Sequence, residues 1–198
     1  MIKRLFDVVV SLITLVVLAP VLLGIAVAIK FDSRGPVFFR QERVGLQGRI
    51  FRIHKFRTMV ADAEHRGLQL TSPDDARITP VGALLRRHKL DELAQLIDVL
   101  QGDMSIVGPR PEVPRYVALY PPEVRQVVLS VRPGITDAAS VAYRNEAAHL
   151  SSSDDPEQLY INVLMPAKLK LCMEYVRNHS LGRDVLILVQ TLAALLRP

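Results

Sequence analysis

The feature that most constrains this chain is an uncharged apolar segment near its N-terminus, VVVSLITLVVLAPVLLGIAVAI, at residues 8–29. As a straight α-helix this segment would be about 33 Å long, which is enough to cross the hydrocarbon core of a bilayer. Nearly half of the whole chain is hydrophobic, 49% of its residues, which is high for a soluble protein. The segment therefore predicts a helix that enters a membrane.

Three arrangements of this segment are compatible with the sequence. A cleavable signal peptide would use Lys3 and Arg4 as its basic start and residues 26–28, Ala-Val-Ala, as its cleavage site, but Asp7 is unusual there. A spanning helix is the simplest alternative. A re-entrant hairpin is favoured by Pro20, which removes a hydrogen bond near the middle, and by basic residues at both ends, which prefer the cytoplasmic side. The residues alone leave the last two equally favoured.

The distribution of charge points to lipid as a partner. Residues 1–60 carry ten Lys and Arg against three Asp and Glu, a balance of +7, whereas residues 61–198 carry 15 against 17, a balance of −2. Anionic lipid headgroups suit a basic surplus beside an apolar segment. Nucleic acid would need the same charge but would not explain that segment, so we expect no nucleic-acid partner. The single cysteine, Cys172, excludes an internal disulfide.

The remaining pattern predicts an α/β fold, mostly helical, in which an anchor at residues 1–34 precedes a small globular domain at 35–198. The predicted elements are short strands at 37–39 and 50–56, a polar loop at 71–77, a helix at 80–100 ended by Gly102, a helix at 122–130, a turn at 132–134, a capped loop at 151–156, and helices at 156–163, 166–177 and 184–196. The last helix is too short to span a bilayer and belongs either in the core or in the membrane interface.

Chemistry concentrates in KLDELAQLIDVLQGDMSIVGPRP, at residues 89–111. An ionised carboxylate such as Asp91 or Glu92 is a competent nucleophile towards phosphorus and a hard ligand for Mg²⁺. Arg110 lies between prolines, which restrict the backbone and can hold its guanidinium ready for phosphate oxygens. Nucleophile, metal and cationic clamp are the parts that phosphoryl transfer needs. Alone, however, the Asp-Glu pair would indicate only exposed salt bridges with Arg87 and its neighbours.

The motifs in order resemble the bacterial sugar transferase family, the monotopic polyprenyl-phosphate phosphoglycosyl transferases. They are KRLFDVVVS at 3–11, GPVFFRQERVG at 35–45, HKFRTM at 54–59, ARITPVGALLRRHKLDELAQL at 76–96, GDMSIVGPRPE at 102–112, RPGIT at 132–136 and RN at 144–145. The resemblance covers nearly the whole chain. It implies a re-entrant helix broken at Pro20 and interfacial amphipathic helices around the catalytic domain.

The resemblance also implies a reaction. Asp91 would attack the β-phosphate of a UDP-sugar, UMP would leave, and polyprenyl phosphate, usually undecaprenyl phosphate, would take the sugar phosphate from the aspartate. Glu92 would help to bind Mg²⁺, with Asp91, or the acceptor. The basic positions expected around the phosphates are Lys55, Arg57, Arg86, Arg110, Arg132 and Arg144.

The implied setting is the cytoplasmic face of the bacterial inner membrane, where such enzymes start capsular, exopolysaccharide, O-antigen or glycoprotein glycans. The chain resembles the small form of the family, made of an anchor and a catalytic domain, and the formation of a homodimer stays open. Ala19 stands where the family often has a serine before the membrane proline, so the hydroxyl's contribution to the bend is missing. Asp137 and Ser140 depart from common family residues after Gly-Ile-Thr, which leaves the donor sugar undetermined. Two competing functions are a membrane-tethered binding protein without turnover, and direct transfer without a covalent aspartate.

Overall fold

The structure is a computed structural model that describes residues 2–63, 75–146, 150 and 153–196. Its elements are α1 (Ile2–Asp32), β1 (Phe38–Val44), β2 (Ile50–Phe56), α2 (Pro80–Arg87), α3 (Gln95–Gln101), β3 (Ser105–Val107), α4 (Pro114–Val117), α5 (Pro122–Val128), β4 (Gly134–Thr136), α6 (Ala138–Ala142), α7 (Pro156–Leu159), α8 (Met165–Arg177) and α9 (Leu181–Leu196). Strands β1 and β2 pair antiparallel, and β3 and β4 pair parallel. Helices with two small sheets confirm the mostly helical α/β prediction.

Helix α1 is one continuous helix with Pro20 inside it. The predicted interruption at Pro20 is not a separate loop, because a proline removes only one hydrogen bond of the ladder and helical structure resumes after it. By length and composition α1 can cross a membrane. Burial is confined to its two ends: Asp7 and Ser11 near the start, Ile25 and Ile29 near the finish. No residue at 12–24 is buried. Both ends therefore pack on the rest of the chain while the middle stands clear of it.

The start of α1 is held by a set of polar side chains, buried except for the partly exposed Lys3 and here named the N-terminal polar cluster: Lys3, Asp7, Ser105, Tyr175 and Asp184. Lys3 Nζ donates to Asp184 Oδ2 at 2.6 Å, and the Tyr175 hydroxyl donates to Asp184 Oδ1 at 2.6 Å. The Ser105 hydroxyl donates to Asp7 Oδ2 at 2.8 Å. The cluster ties α1 to β3, α8 and α9.

Several of the basic residues near the N-terminus form hydrogen bonds within the protein itself. Lys3 belongs to the N-terminal polar cluster, and Arg4 Nη1 donates to the Val99 carbonyl at 2.7 Å. Lys30 donates to a backbone carbonyl of the loop that follows α1. Arg34 remains exposed. The charge pattern thus serves first to dock the two ends of α1 onto the domain.

The predicted helix at 80–100 is wrong in its middle. Helix α2 ends at Arg87, Lys89 takes the left-handed conformation with φ 55° and ψ 21°, and residues 90–92 form a 3₁₀ turn before α3 begins. Residues other than glycine rarely adopt that backbone conformation. The apolar stripe continues across the break, so helical periodicity did not reveal it. Gly102 ends α3 with φ 94°, as predicted.

The turn predicted at 132–134 runs directly into β4, which pairs with β3 through Ser105–Gly134 and Val107–Thr136. A Cβ added at Gly134 would lie 2.1 Å from the Gly108 nitrogen, so only glycine permits this approach. Strands of three residues carry no useful alternation signal. Their pairing fixes the loop that follows β3, because the Gly134 nitrogen donates to the Pro109 carbonyl at 3.0 Å.

Most other predicted elements are confirmed. The strand at 50–56, the helix from residue 122 and the Asp155 cap, which accepts from the Gln158 nitrogen, are present. The strand predicted at 37–39 begins at Phe38 and continues to Val44, so its predicted end was too early. The helices predicted at 156–163 and 166–177 join through a π-helical stretch at Tyr160–Leu164. Residues 71–74 of the predicted polar loop, and 151–152 of the loop before Asp155, lie outside the described residues.

Helix α9 bears on the choice left open for the C-terminal apolar segment, because it presents one face to the domain and the other to the outside. Asp184 and Ile187 are buried against the domain. The opposite face carries a stripe of exposed large apolar residues: Val185, Leu186, Val189, Leu192 and Leu195. An amphipathic helix that turns its apolar face outward suits the plane of a membrane interface.

Candidate active site

The 3₁₀ turn between α2 and α3 carries Asp91 and Glu92 into the interior, where Asp91 is 7% exposed. Strand β2 brings Lys55 to both carboxylates. Its Nζ lies 2.8 Å from Glu92 Oε1 and 3.9 Å from Asp91 Oδ2. The cation facing Asp91 thus comes from a distant strand, whereas Arg87, one helical turn earlier in sequence, is exposed.

Glu92 is clamped between two cations. Arg110 donates through Nη1 to Oε2 at 3.1 Å and through Nη2 to Oε1, the oxygen that also accepts from Lys55 Nζ. Burial acts to raise the pKa of Glu92, but Arg110 and Lys55 together outweigh it and hold that pKa well below its usual range. The Glu92 carboxylate in turn raises the pKa of Arg110, while burial lowers the pKa of Lys55. Glu92 is therefore a fixed anion that positions both cations.

Asp91 differs from its neighbour. Within the described part of the chain its Oδ1 is buried without a hydrogen-bond partner. Burial raises the pKa of Asp91, and the pull of Lys55 only partly opposes it. A buried carboxylate oxygen left without a partner is costly, and such groups concentrate at functional sites. Asp91, with one oxygen lacking a hydrogen-bond partner among the described residues, is suited to react. Glu92, with both oxygens bonded, is suited to hold Lys55 and Arg110 in position.

The Arg110 loop is held from behind by Asp137. Asp137 Oδ2 accepts from the Arg110 backbone nitrogen at 3.2 Å, and its Oδ1 accepts from the Ser140 nitrogen at 2.6 Å as the N-cap of α6. From the sequence, Asp137 was notable only because it differs from the residue common at this position in the family. Its signal was the capping position, since an aspartate directly before a helix satisfies a free backbone N–H.

Of the other predicted basic residues, Arg86 lies at the site. Its Nε donates to Thr58 Oγ1 at 2.8 Å. Burial lowers the pKa of Arg86, and the charge of Asp91 partly restores it, which puts the two within electrostatic reach. Lys55, Arg86 and Arg110 therefore lie near the Asp91–Glu92 pair, and their contact with phosphate stays a prediction.

The remaining three are engaged elsewhere, with backbone carbonyls. Arg57, 5% exposed, donates through Nη1 to the Arg34 carbonyl at 2.9 Å and through Nη2 to the Ser33 carbonyl at 2.7 Å, so it caps the end of α1. Arg132 Nε donates to the Gly102 carbonyl at 2.8 Å. Arg144 Nη1 lies 3.4 Å from the Ala194 carbonyl of α9. Phosphate contact by these three stays a prediction, and their bonds give them structural roles.

The donor set at the site fits Mg²⁺ in part. The described residues contain no group of three or more His, Cys, Asp or Glu side chains arranged to hold a metal. Mg²⁺ commonly takes one or two protein carboxylates and completes its shell with substrate phosphates and water. Asp91 Oδ1, which has no partner among the described residues, suits that role. Glu92 suits it less, because both its oxygens already accept from cations.

Comparison with known proteins identifies the family. The model of a family described as bacterial sugar transferase matches residues 1–198. The chain belongs to the bacterial sugar transferase family. The resemblance predicted from the sequence motifs is thereby confirmed.

Relatives within this family carry informative names. The UDP-N-acetylgalactosamine-undecaprenyl-phosphate N-acetylgalactosaminephosphotransferase of Aeromonas hydrophila is 38% identical over 98% of this chain and 44% of that protein. The UDP-glucose:undecaprenyl-phosphate glucose-1-phosphate transferase of Xanthomonas campestris pv. campestris is 39% identical over 96% of this chain and 37% of that protein. The uncharacterized sugar transferase EpsL of Bacillus subtilis is 36% identical over 98% of this chain and 87% of that protein. The chain thus spans less than half the length of the first two relatives.

Proposed function

We propose that the protein moves a sugar 1-phosphate from a UDP-sugar to a polyprenyl phosphate, usually undecaprenyl phosphate, and releases UMP. The observation that carries this proposal is Asp91, a buried carboxylate with an open oxygen beside Lys55 and the Glu92–Arg110 pair. The names of the two transferases from Aeromonas and Xanthomonas support the same donor and acceptor classes.

In the first step an Asp91 oxygen attacks the sugar-bearing phosphorus. The new bond joins that oxygen to the phosphorus, the bond between the phosphorus and the bridging oxygen breaks, and UMP leaves with the bonding pair. Lys55 and Arg110, held in place by Glu92, face the charge that develops on the phosphate oxygens. Arg86 adds a third cation on the side of Asp91.

In the second step an oxygen of the polyprenyl phosphate attacks the same phosphorus. The bond to Asp91 breaks, its carboxylate is restored, and polyprenyl diphosphate sugar is released. Two successive steps mean that the soluble and the lipid substrate need not bind together. Mg²⁺ bound through Asp91 Oδ1 would supply charge neutralisation for the diphosphate. The protein's own contribution is to hold three cations and one anion in fixed places.

The membrane arrangement follows from α1. Both of its ends contact the catalytic domain through the N-terminal polar cluster and through Arg57. A helix that crossed the bilayer would leave one end on the far side, so we propose a re-entrant anchor at residues 1–34 with the domain on the cytoplasmic face of the inner membrane. The exposed apolar stripe of α9 supports a domain that rests on the same surface. This brings the site to the level of the lipid headgroups.

The test is UMP release by the protein in detergent or nanodiscs, with Mg²⁺, undecaprenyl phosphate and a panel of UDP-sugars. We expect UMP from one donor or a few, and loss of release when Mg²⁺ is chelated. A folded protein that binds acidic vesicles but releases no UMP from any donor would instead support a tethered binding protein.

The covalent step has its own test. Labelled UMP should exchange into the UDP-sugar without any acceptor, since only a covalent route reverses at that stage. Exchange should disappear in Asp91→Asn. Turnover with acceptor but without exchange would support direct transfer from donor to acceptor.

A further inference from the structure

A polar cleft opens beside Arg110. It has a volume of about 180 Å³, larger than a single bound water needs, and its polar walls are Arg43, Arg110, Glu112, Glu146 and Lys168. Arg110 lines this cleft and also donates to Glu92, so one side chain connects the cleft with the Asp91–Glu92 pair. The cleft is therefore a candidate for one end of a substrate whose phosphorus sits at Asp91.

The charges in the cleft alternate. Lys168 Nζ lies 2.8 Å from Glu146 Oε2, and Arg43 Nη1 lies 3.8 Å from Glu112 Oε2. Arg43 Nε is buried without a hydrogen-bond partner in the described part of the chain. Two carboxylates on the walls disfavour another phosphate. Donors and acceptors at close intervals suit a neutral group with several hydroxyls, because each hydroxyl both donates and accepts.

The aromatic side chains of the cleft argue against a nucleobase. Tyr160 is 3% exposed and Tyr116 is 4% exposed, and their rings pack on each other with centroids 4.9 Å apart. Lys168 Nζ lies 5.3 Å from the Tyr160 ring centroid. The Tyr160 hydroxyl donates to Glu112. No open ring face is left at Tyr160 on which a pyrimidine could stack.

We propose that this cleft binds the sugar of the donor, with Glu112 and Glu146 accepting from its hydroxyls and Lys168 and Arg43 donating to them. The inference rests on the proposed function and assigns the two ends of the UDP-sugar: the sugar lies towards Tyr160, and the uridine lies on another side of Arg110. Glu146 and Lys168 then determine which hexose is accepted.

The experiment separates sugar binding from nucleotide binding. UMP release is measured with UDP-glucose, UDP-galactose, UDP-N-acetylglucosamine and UDP-N-acetylgalactosamine for the wild type, Glu146→Gln and Lys168→Met. Product inhibition by UMP, which lacks the sugar, is measured alongside. We expect kcat/KM for the preferred donor to fall about 10- to 100-fold, or the ranking of donors to change. The UMP inhibition constant should stay within about twofold, since UMP does not reach the cleft.

The matched control is Glu174→Gln, the same change in an ion pair with Arg183 that lies outside the cleft. It should leave donor ranking and kcat/KM unchanged. Gln41→Ala removes a half-buried, uncharged cleft side chain that accepts from Arg43 Nη2 at 2.6 Å, and it tests the proposal if the charged variants fold poorly.

Three results would overturn the inference. If the cleft variants weakened donor use and UMP inhibition equally, the cleft would bind the nucleotide and not the sugar. If all cleft variants kept wild-type kinetics, the cleft would bind no part of the substrate. A wild-type protein that releases no UMP from any donor would reject the proposed function itself, and the assignment of the cleft with it.

Discussion

Two clusters in this molecule each combine a lysine with carboxylates, but they differ in whether the carboxylate oxygens have hydrogen-bond partners. In the N-terminal polar cluster Asp184 is fully buried and both its oxygens are bonded, to Lys3 and to Tyr175, at 2.6 Å each. At the active site Asp91 keeps Lys55 at 3.9 Å, and its Oδ1 has no partner within the described residues. The same residue types thus form a complete network in one place and an incomplete one in the other.

The difference separates structure from chemistry. A satisfied buried network offsets its own desolvation and holds elements together, here α1 against β3, α8 and α9. An unsatisfied carboxylate contributes no such stability and persists only because the surroundings hold it. Substitutions in the two clusters should therefore have opposite consequences for activity and for stability.

The largest effect is expected from Asp91→Asn. UMP release should fall at least about 10³-fold, because the amide is a poor nucleophile towards phosphorus. Thermal stability should stay equal or rise, since a neutral amide replaces a buried carboxylate whose pKa burial raises. Activity and unfolding temperature measured on one preparation check both parts. A clear loss of stability would place Asp91 with the structural cluster instead.

Asp184→Asn should do the reverse. Removing the anion leaves Lys3 without its 2.6 Å partner and should lower the free energy of unfolding by about 3 kcal/mol, the low end for a broken buried pair because Lys3 is 31% exposed. UMP release per folded molecule should change little. Chemical denaturation in nanodiscs measures the first quantity. The double variant Lys3→Met/Asp184→Leu is the control, and it should recover part of the loss.

Lowering the pH should separate the neighbours Asp91 and Glu92. Burial raises the pKa of Asp91, so it gains a proton above the ordinary aspartate value of about 3.9, and UMP release falls there. Asp91 contributes no stability that this protonation could remove, since its folded pKa lies above its unfolded one. Glu92 has a pKa held well below its usual range, so its contribution is present above its unfolded pKa of about 4.3 and is lost only as the pH falls further, through its folded pKa.

A pH window should therefore exist, between the folded-state pKa values of Glu92 and Asp91, in which the protein is folded but releases UMP slowly. The rate of UMP release and the unfolding temperature, measured at the same pH values, define it. The Asp184→Asn variant should keep the acid limb of the rate at the same pH. Loss of rate and of stability at one shared pH would mean that Asp91 and Glu92 titrate as one unit.

Short sequence motifs predicted the active-site cluster better than the N-terminal polar cluster. The Asp91–Glu92 pair, Arg110 and the long apolar helix were visible in short motifs or in hydropathy. The N-terminal polar cluster was not, because Lys3 and Asp184 are 181 positions apart and their pairing depends on how α9 returns to α1. The structural role of Asp7 could not be predicted for the same reason, since only the fold supplies its partner Ser105.

The helix break at Lys89, just before Asp91, could not be predicted because the apolar stripe continues across it. Substitutions at Lys89 are expected to have the smallest effect. Lys89 adopts φ 55° at the start of the 3₁₀ turn, a conformation that costs a lysine about 1 kcal/mol and that glycine adopts freely. Lys89→Gly should keep the turn, change stability by less than about 1 kcal/mol and leave most of the turnover. Lys89→Asn is the uncharged control, since asparagine tolerates the left-handed region. Lys89→Val should lower kcat more than it changes KM, because a β-branched residue opposes that conformation and shifts Asp91 relative to Lys55. If glycine, asparagine and valine gave equal losses, the charge of Lys89 near Asp91 would matter and the backbone would not.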